Sequence, residues 1–585
     1  MSTKGKPLPA PSSPEALRPR WRLRQAPEGA EAALRLSGLF PGRLCQLLAV
    51  RGHRDPQAAA AFLQAGPASV HPPLLLWGMR EAVDRLERAF RQGEKVAVLG
   101  DYDVDGITST VLLLKLFSLL GLPCEAWIPD RIKEGYGPNT AALTGLRSRG
   151  AAVVVTVDCG ISAVAEAEAA RALGLDLIIT DHHVAGAALP SALAVVNPKT
   201  SPQYPYDMLG GVGVAYKLAQ ALLERLQHPR RDDFLDHMLE LVALGTICDV
   251  APLDGENRAL VKAGLERLRQ GRWLGLRSLA QAASVDLKEA DAGAVGFYLG
   301  PRLNAGGRIG DAMAGVRLLL CKDPAESRAL AAQLDAANVE RQALEKGVLE
   351  QALPQAEAAV ARGDKALVLW SDDWHPGVVG LAASRLLERF GRPTFVFGVR
   401  EGLAKGSARS RRPFHLVRAL EACAAHLLKF GGHEVAAGAT LQAGDLPAFA
   451  EAFVAQAAAL TEEDLRPLIE ADLELGLDEV DPDLMGQLAA MEPHGMKNPR
   501  PLFLARGLSL GAGSKRVGGD GAHLKLDLAQ GRHRFGGIAF RQGPRLEALA
   551  AAGALDALFH LGWNEWNGRR SIQLEVKDLR PAGQD

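Results

Sequence analysis

A chain of 585 residues is too long for one hydrophobic core, so three or four domains are expected. Its 67 Lys and Arg balance 68 Asp and Glu, which excludes a globally basic nucleic-acid binder; any polyanion path must come from local clustering. Six scattered cysteines with no C-x-x-C pair exclude a zinc ribbon and give no disulfide framework, so a reducing cytoplasm is the expected setting.

The Pro- and Ser-rich start, with no apolar signal segment, predicts a partly disordered tail over residues 1–44. From Lys95 short β-rich runs alternate with helical segments. Val96–Gly100, Glu125–Pro129, Ala152–Val157 and Leu177–Thr180 read as strands; Ile107–Leu120, Asn139–Arg149 and Ala163–Leu173 read as helices. Such alternation predicts an α/β fold whose parallel sheet is covered on both faces. The longest apolar stretch, Val111–Leu122, contains Lys115 and is too short for a bilayer, so it reads as a buried helix with no membrane association. Gly210 to Leu268 is mostly helical and extends the first domain, taken as 45–323. An Ala/Leu/Glu/Gln-rich stretch predicts a connecting helix over 324–362. A second, smaller α/β domain follows over 363–460, with strand Ala366–Trp370, helix Val378–Phe390, strand Thr394–Gly398 and a Gly/Ser/Arg turn from Lys405 to Arg412. The remainder, 461–585, is a series of short alternating segments with Gly-rich turns, compatible with a small β-barrel.

The strongest chemical signal is G-D-Y-D-V-D-G, where Asp101, Asp103 and Asp105 alternate just past a strand. Ligands of open α/β sheets collect at that edge, and carboxylates so crowded repel one another unless a cation neutralises them. The rival readings are an acidic solvated turn and an EF-hand opening. The EF-hand fails because its twelfth position is Leu112 and a β-run precedes it. The next strands end similarly, in Asp158-Cys159-Gly160 and in Asp181-His182-His183, while Asp249 follows an apolar helix in G-T-I-C-D-V. Carboxylates with one or two imidazoles form a hard-oxygen set suited to two divalent ions, Mn²⁺ or Mg²⁺.

In this order D-Y-D-V-D-G, V-D-C-G, D-H-H and G-T-I-C-D-V resemble the four motifs of the DHH phosphoesterase superfamily. The resemblance implies that Asp101, Asp103, Asp105, Asp158, His182 and Asp249 hold the metals, with Asp158 bridging. It also implies that His183 faces the scissile phosphate and that Asp181 orients a neighbouring imidazole. P-D-R-I-K-E-G-Y-G and G-P-R-L-N-A-G-G-R-I-G-D resemble segments of the exonuclease branch that grip phosphate, implicating Arg131, Arg308 and Arg302. The rival for Arg302 and Arg308 is a structural salt bridge. K-G-S-A-R-S and G-G-H-E-V-A-A-G resemble the companion substrate-binding domain, with Ser407 and Arg409 on a phosphate and His433 lining the cleft. The last segment resembles an OB-fold, in which Trp563 and Trp566 either stack bases or serve the core. Glu492–Phe503 departs from the family pattern, with His494 where Phe is usual and Lys497 where Gly is usual.

The implied activity is 5′→3′ hydrolysis of single-stranded DNA to 5′-mononucleotides in recombination and repair. A monomer is expected, with single-strand-binding protein and a helicase as candidate partners. The rivals are a DHH phosphodiesterase acting on short oligonucleotides or cyclic dinucleotides and a non-catalytic replisome scaffold.

Overall fold

The computed structural model describes residues 18–131, 134–566 and 568–584. Its described residues divide into two compact units: Gln64–Ala343 with Pro493–Pro499, and Arg18–Leu63 with Leu344–Glu492 and the described residues from Arg500.

The first unit is built on five parallel strands, β1 (Lys95–Gly100), β2 (Cys124–Trp127), β3 (Ala151–Val157), β4 (Asp176–Thr180) and β5 (Ala194–Val196), in the order β2-β1-β3-β4-β5. Successive side chains of a strand point to opposite faces, and the burial follows. Val96, Val98, Val153 and Val155 join the larger core on one face, whereas Ala97, Leu99, Val154, Leu177 and Ile179 join a smaller core on the other. Helix α1 (Val104–Leu119) is buried nearly all round, which explains why it has no polar face. It packs in the larger core with α2 (Gly211–Arg225) and α3 (Arg231–Cys248), and α4 (Gly300–Ile309) follows further along the chain. The chain reverses direction across the sheet between β1 and β3, the switch point where such sheets bind ligands. Strand β5 carries no sequence signal beyond Ala-Val-Val and was not expected.

The long helix α5 (Pro324–Ala361) belongs by its first half to this unit and by its second to the other. In the second unit, β6 (Leu367–Ser371), β7 (Thr394–Arg400), β8 (Leu403–Arg409), β9 (Lys429–Gly432) and β10 (Ala436–Gln442) form one mixed sheet. The Lys405–Arg412 segment expected as a turn is therefore mostly strand. Its backbone is claimed on both sides, by β7 and by β10, while Ala404 and Ala408 are buried.

Beyond it, β11 (Leu473–Glu474), β12 (Phe503–Leu510), β13 (Lys515–Val517), β14 (His523–Gln530), β15 (His533–Ala539), β16 (Leu555–Trp566) and β17 (Arg569–Pro581) form a sheet that closes through β12 and β14. The closed barrel is filled by Phe503, Leu526, Phe559, Leu574 and their neighbours.

The tail expected over 1–44 needs correction in its described part. Arg20–Leu23 is a strand paired in parallel with Leu468–Ala471, and Ala30–Leu36 and Gly42–Val50 are helices. Leu34, Leu44, Leu47 and Leu48 are buried in the same core as the barrel, so apolar burial at helical spacing overrides the polar start. Among the described residues no helix is long and apolar enough to cross a membrane.

Candidate metal centre

Asp103 is the N-cap of α1 and accepts the Gly106 N–H at 3.1 Å. That bond starts the helix and turns Asp105 inward, where it is fully buried. Asp105 accepts the N–H groups of Gly211 and Val212, each at 2.8 Å, at the N-terminus of α2. A Cβ at Gly211 would lie 2.8 Å from Asp158 Oδ1 and 2.9 Å from Asp105 Oδ2, so only glycine lets these two carboxylates share the helix end. Asp158 leaves β3 in a left-handed conformation, φ 60°, which a non-glycine residue adopts at a cost.

The D-H-H tip after β4 divides into two jobs. Asp181 accepts the backbone N–H groups of Ile161, His182 and His183 and bonds the His183 ring Nδ1 at 2.8 Å. Burial pushes its carboxyl up, but the His183 ring and these N–H groups outweigh it and hold Asp181 below the ordinary range. Its oxygens are committed to orienting the loop. His182 instead aims Nε2 into the acidic group, 3.1 Å from Asp158 Oδ1, 3.7 Å from Asp249 and 3.9 Å from Asp105. Burial, reinforced by the neighbouring His183, drives its pKa down to about 3, so the ring is neutral and able to ligate.

The carboxylates show the reverse shift. Burial first, then mutual repulsion, raises Asp105 to about 7 and Asp249 to about 9, with Asp158 and Asp101 also raised well above the ordinary range. Asp249 sits at the C-terminus of α3, where the helix dipole disfavours negative charge further. Asp101 Oδ1, Asp158 Oδ1 and His182 Nε2 are buried and make no hydrogen bond among the described residues. Groups of this kind are costly unless something binds them. Among the described residues, three sets have ligand atoms within 4.8 Å of one another: Asp101, Asp103 and Asp158; Asp105, His182 and Asp249; and Asp158, His182 and His183. Asp158 and His182 each belong to two sets, so the donors fit a pair of adjacent hard cations. Cys159 points away, toward the Leu99 carbonyl.

The structure places the phosphate candidates unevenly. Arg131, with its guanidinium 5.0 Å from the Tyr102 ring centroid, and Arg308 line one cleft of about 340 Å³ together with Asp130, Glu134 and Asp311. Arg302 bonds Asp335 at 2.8 Å and the Tyr298 carbonyl at 2.8 Å, so its first commitment is structural. In the second unit, Ser407 and Arg409 alternate on one face of β8. A Cβ at Gly380, in the first turn of helix Val379–Phe390, would come within 3.3 Å of Ser407 and 3.4 Å of Arg409. A hydroxyl, a guanidinium and a helix N-terminus so grouped suit a phosphate. His433 is exposed in the turn between β9 and β10, its N–H on the Ala436 carbonyl. Trp563 of the barrel is 41% exposed under the Arg570 guanidinium, 4.3 Å from its ring centroid, which favours surface over core; the Trp566 side chain lies outside the described residues.

Sequence reading missed three supporting groups. The Tyr136 hydroxyl donates to the Asp158 carbonyl at 3.1 Å and lies 3.2 Å from His183 Nδ1. Lys199 donates to the His182 carbonyl. Asn304 accepts the Val104 N–H at 3.1 Å, and Gly307 packs against the Tyr102 carbonyl, so α4 braces the acidic loop. Their signals were faint: a Tyr within a motif read for its arginine, and an Asn between two arginines.

Family models match three consecutive parts of the chain: the DHH family N-terminal domain over 95–246, the DHHA1 domain over 363–459 and the RecJ OB domain over 471–578. The chain is 39% identical over 563 residues to the single-stranded-DNA-specific exonuclease RecJ of Bacillus subtilis, covering 96% of this chain and 70% of that one. It is 36% identical over 585 residues to the protein of that name in Escherichia coli, covering 96% and 99%. The crystal structure of RecJ from Thermus thermophilus in complex with Mn²⁺ superposes with a TM-score of 0.82 at 36% identity, over 96% of this chain and 79% of that one. Identity sustained at that level from end to end, across all three domains, means that the chain belongs to the RecJ family.

Proposed function

We propose that this protein is a metal-dependent exonuclease that hydrolyses single-stranded DNA from its 5′ end and releases 5′-mononucleotides. The observation that carries the reading is the rim of Asp101, Asp103, Asp105, Asp158, His182 and Asp249, where burial raises the carboxyls of Asp101, Asp105, Asp158 and Asp249, and the buried Asp101 Oδ1, Asp158 Oδ1 and His182 Nε2 make no hydrogen bond among the described residues. The RecJ structures solved with Mn²⁺ and with Mg²⁺ support the choice of ion. Two such ions, when bound, supply positive charge to the attacking and leaving oxygens of a phosphodiester.

The chain's own residues hold and orient. Asp158 contributes to two of the ligand sets, and His182 offers a neutral Nε2. Asp181 accepts from His183 Nδ1, which fixes the tautomer and leaves Nε2 for the phosphate. Arg131 and Arg308 grip phosphate oxygens in their shared cleft, and Ser407 with Arg409 offers a further grip. In this reading the enzyme acts as a cytoplasmic monomer in recombination and repair, fed by a helicase and single-strand-binding protein.

Digestion of a single strand labelled at either end, with Mn²⁺ and no accessory protein, tests substrate, direction and metal need together. Labelled mononucleotide is expected at once from the 5′ label and late from the 3′ label. Asp158→Asn, which keeps a residue tolerant of left-handed backbone, is expected to lower the rate by on the order of 10³-fold or more. Undiminished cleavage by that variant overturns the metal assignment, and faster turnover of a dinucleotide than of a long strand would favour the short-oligonucleotide reading.

A further inference from the structure

Phe297 is 80% exposed and its neighbour Tyr298 is 47% exposed. Both lie in Val295–Leu299, the one π-helical turn among the described residues. Leaving a phenyl ring in water forgoes the burial that normally places it, and inserted π-turns occur mostly where function needs a displaced side chain.

The turn's surroundings place it at the rim of the metal centre. A Cβ at Gly296 would lie 3.7 Å from Ile247, and one at Gly300 would strike Cys248 Sγ; these are the last residues of α3 before Asp249. Val250, next after Asp249, is 58% exposed in a left-handed conformation, adding an apolar side chain to the same edge. The Tyr298 carbonyl is held by Arg302 at 2.8 Å, and α4 continues to Asn304, which binds the start of α1. The aromatic pair is therefore exposed yet mounted on a fixed base.

We propose that Phe297 and Tyr298 form a stacking platform for nucleobases of the strand being cleaved, beside Asp249. The proposal rests on the nuclease reading above. The occupant must present flat apolar faces while its anionic backbone runs to cations and arginines. Asp249 follows the end of α3 against which the turn packs, Arg302 comes shortly after the pair in sequence, and Arg131 and Arg308 lie in the same unit. A single strand meets both demands, because every base has a π-face and stacking is indifferent to sequence.

The test compares cleavage of an ordinary single strand with that of an abasic deoxyribose-phosphate strand of equal length, for the wild type and Phe297→Ala/Tyr298→Ala. The wild type is expected to show a KM at least about 10-fold lower for the base-bearing strand. The double variant is expected to lose that preference by raising KM for the base-bearing strand alone, with kcat on the abasic strand unchanged. Phe297→Trp should restore it, with indole fluorescence quenched on strand binding. A double variant that keeps the full preference overturns the platform, as does one that instead loses binding to a protein partner while its strand KM stays unchanged. A wild type that cleaves neither strand overturns the nuclease reading itself.

Discussion

Two regions of the first unit bury charge, and they do it in opposite ways. Lys217, fully buried on α2, pairs with the equally buried Glu256; the Tyr204 hydroxyl and the His71 N–H also bond Glu256, and Lys217 donates to the His71 carbonyl. Cation, anion and hydrogen bonds close on themselves. At the N-terminus of the same helix, several carboxylates converge around a neutral imidazole, and the cations that act on them, Lys199 and Arg131, leave Asp249 and Asp101 still raised above the ordinary range. The first arrangement is complete as folded; the second is complete only with something added. Buried charge alone is thus no sign of function, whereas buried charge that the chain leaves unbalanced is.

The contrast predicts opposite responses to removing one charge, and this is the largest stability effect expected. Lys217→Met leaves Glu256 buried without its cation, which should cost about 3–5 kcal/mol of stability. Asp158→Asn relieves repulsion among its neighbours, so the metal-free protein should unfold at the same temperature or higher while nuclease activity is lost. Thermal denaturation in EDTA reads both. A metal-free Asp158→Asn that melts well below the wild type would break the comparison, because it would show the carboxylate to be satisfied by the protein itself.

A smaller effect follows from pH. Asp105 and Asp249 have folded-state pKa values raised to about 7 and about 9, first by burial and then by neighbouring carboxylates, Asp103 for the former and Asp105 with Asp103 for the latter. In the unfolded chain they ionise near the ordinary value of about 4. Between these limits the folded state binds more protons than the unfolded one, so stability falls as pH rises and levels off above about 9. The melting temperature in EDTA should therefore be lower at pH 8.5 than at pH 6. Mn²⁺ binds the deprotonated ligands, so it should raise the melting temperature more at pH 8.5 than at pH 6. Equal protection at both values would mean that the ion does not displace these protons.

Much of this centre was legible before any coordinates, because strand ends are short-range features. Asp101, Asp158 and Asp181 each follow an apolar run directly, and parallel strands bring such tips to one edge. Asp249 gave little signal, since its place depends on how α3 packs against α1, a long-range outcome. Ser407 and Arg409 were identified as a pair but assigned to a Gly/Ser/Arg turn, and only pairing on both sides makes the segment a strand. The fold of Arg20–Leu23 was hidden for a similar reason, as its partner Leu468–Ala471 lies hundreds of residues away. What local pattern cannot encode is which distant backbone will supply the hydrogen bonds.

The smallest effect concerns a charge pair at the surface, the limiting case of the comparison. Lys497 has φ 61°, a left-handed conformation normally reserved for glycine. Its ammonium lies 3.3 Å from Asp254, the lysine side chain exposed and the aspartate partly so. An exposed pair contributes about 0–1 kcal/mol, whereas a non-glycine residue in left-handed backbone costs about 1–2 kcal/mol. The backbone term wins, so Lys497→Gly should stabilise the protein by a net of about 1 kcal/mol. Adding 0.5 M NaCl separates the two contributions: screening removes the pair, so the advantage of the variant should grow with salt. If Lys497→Gly instead melts lower than the wild type at every salt concentration, a solvated pair is worth more here than its exposure allows, and the distinction between closed and open charge would need redrawing at the surface.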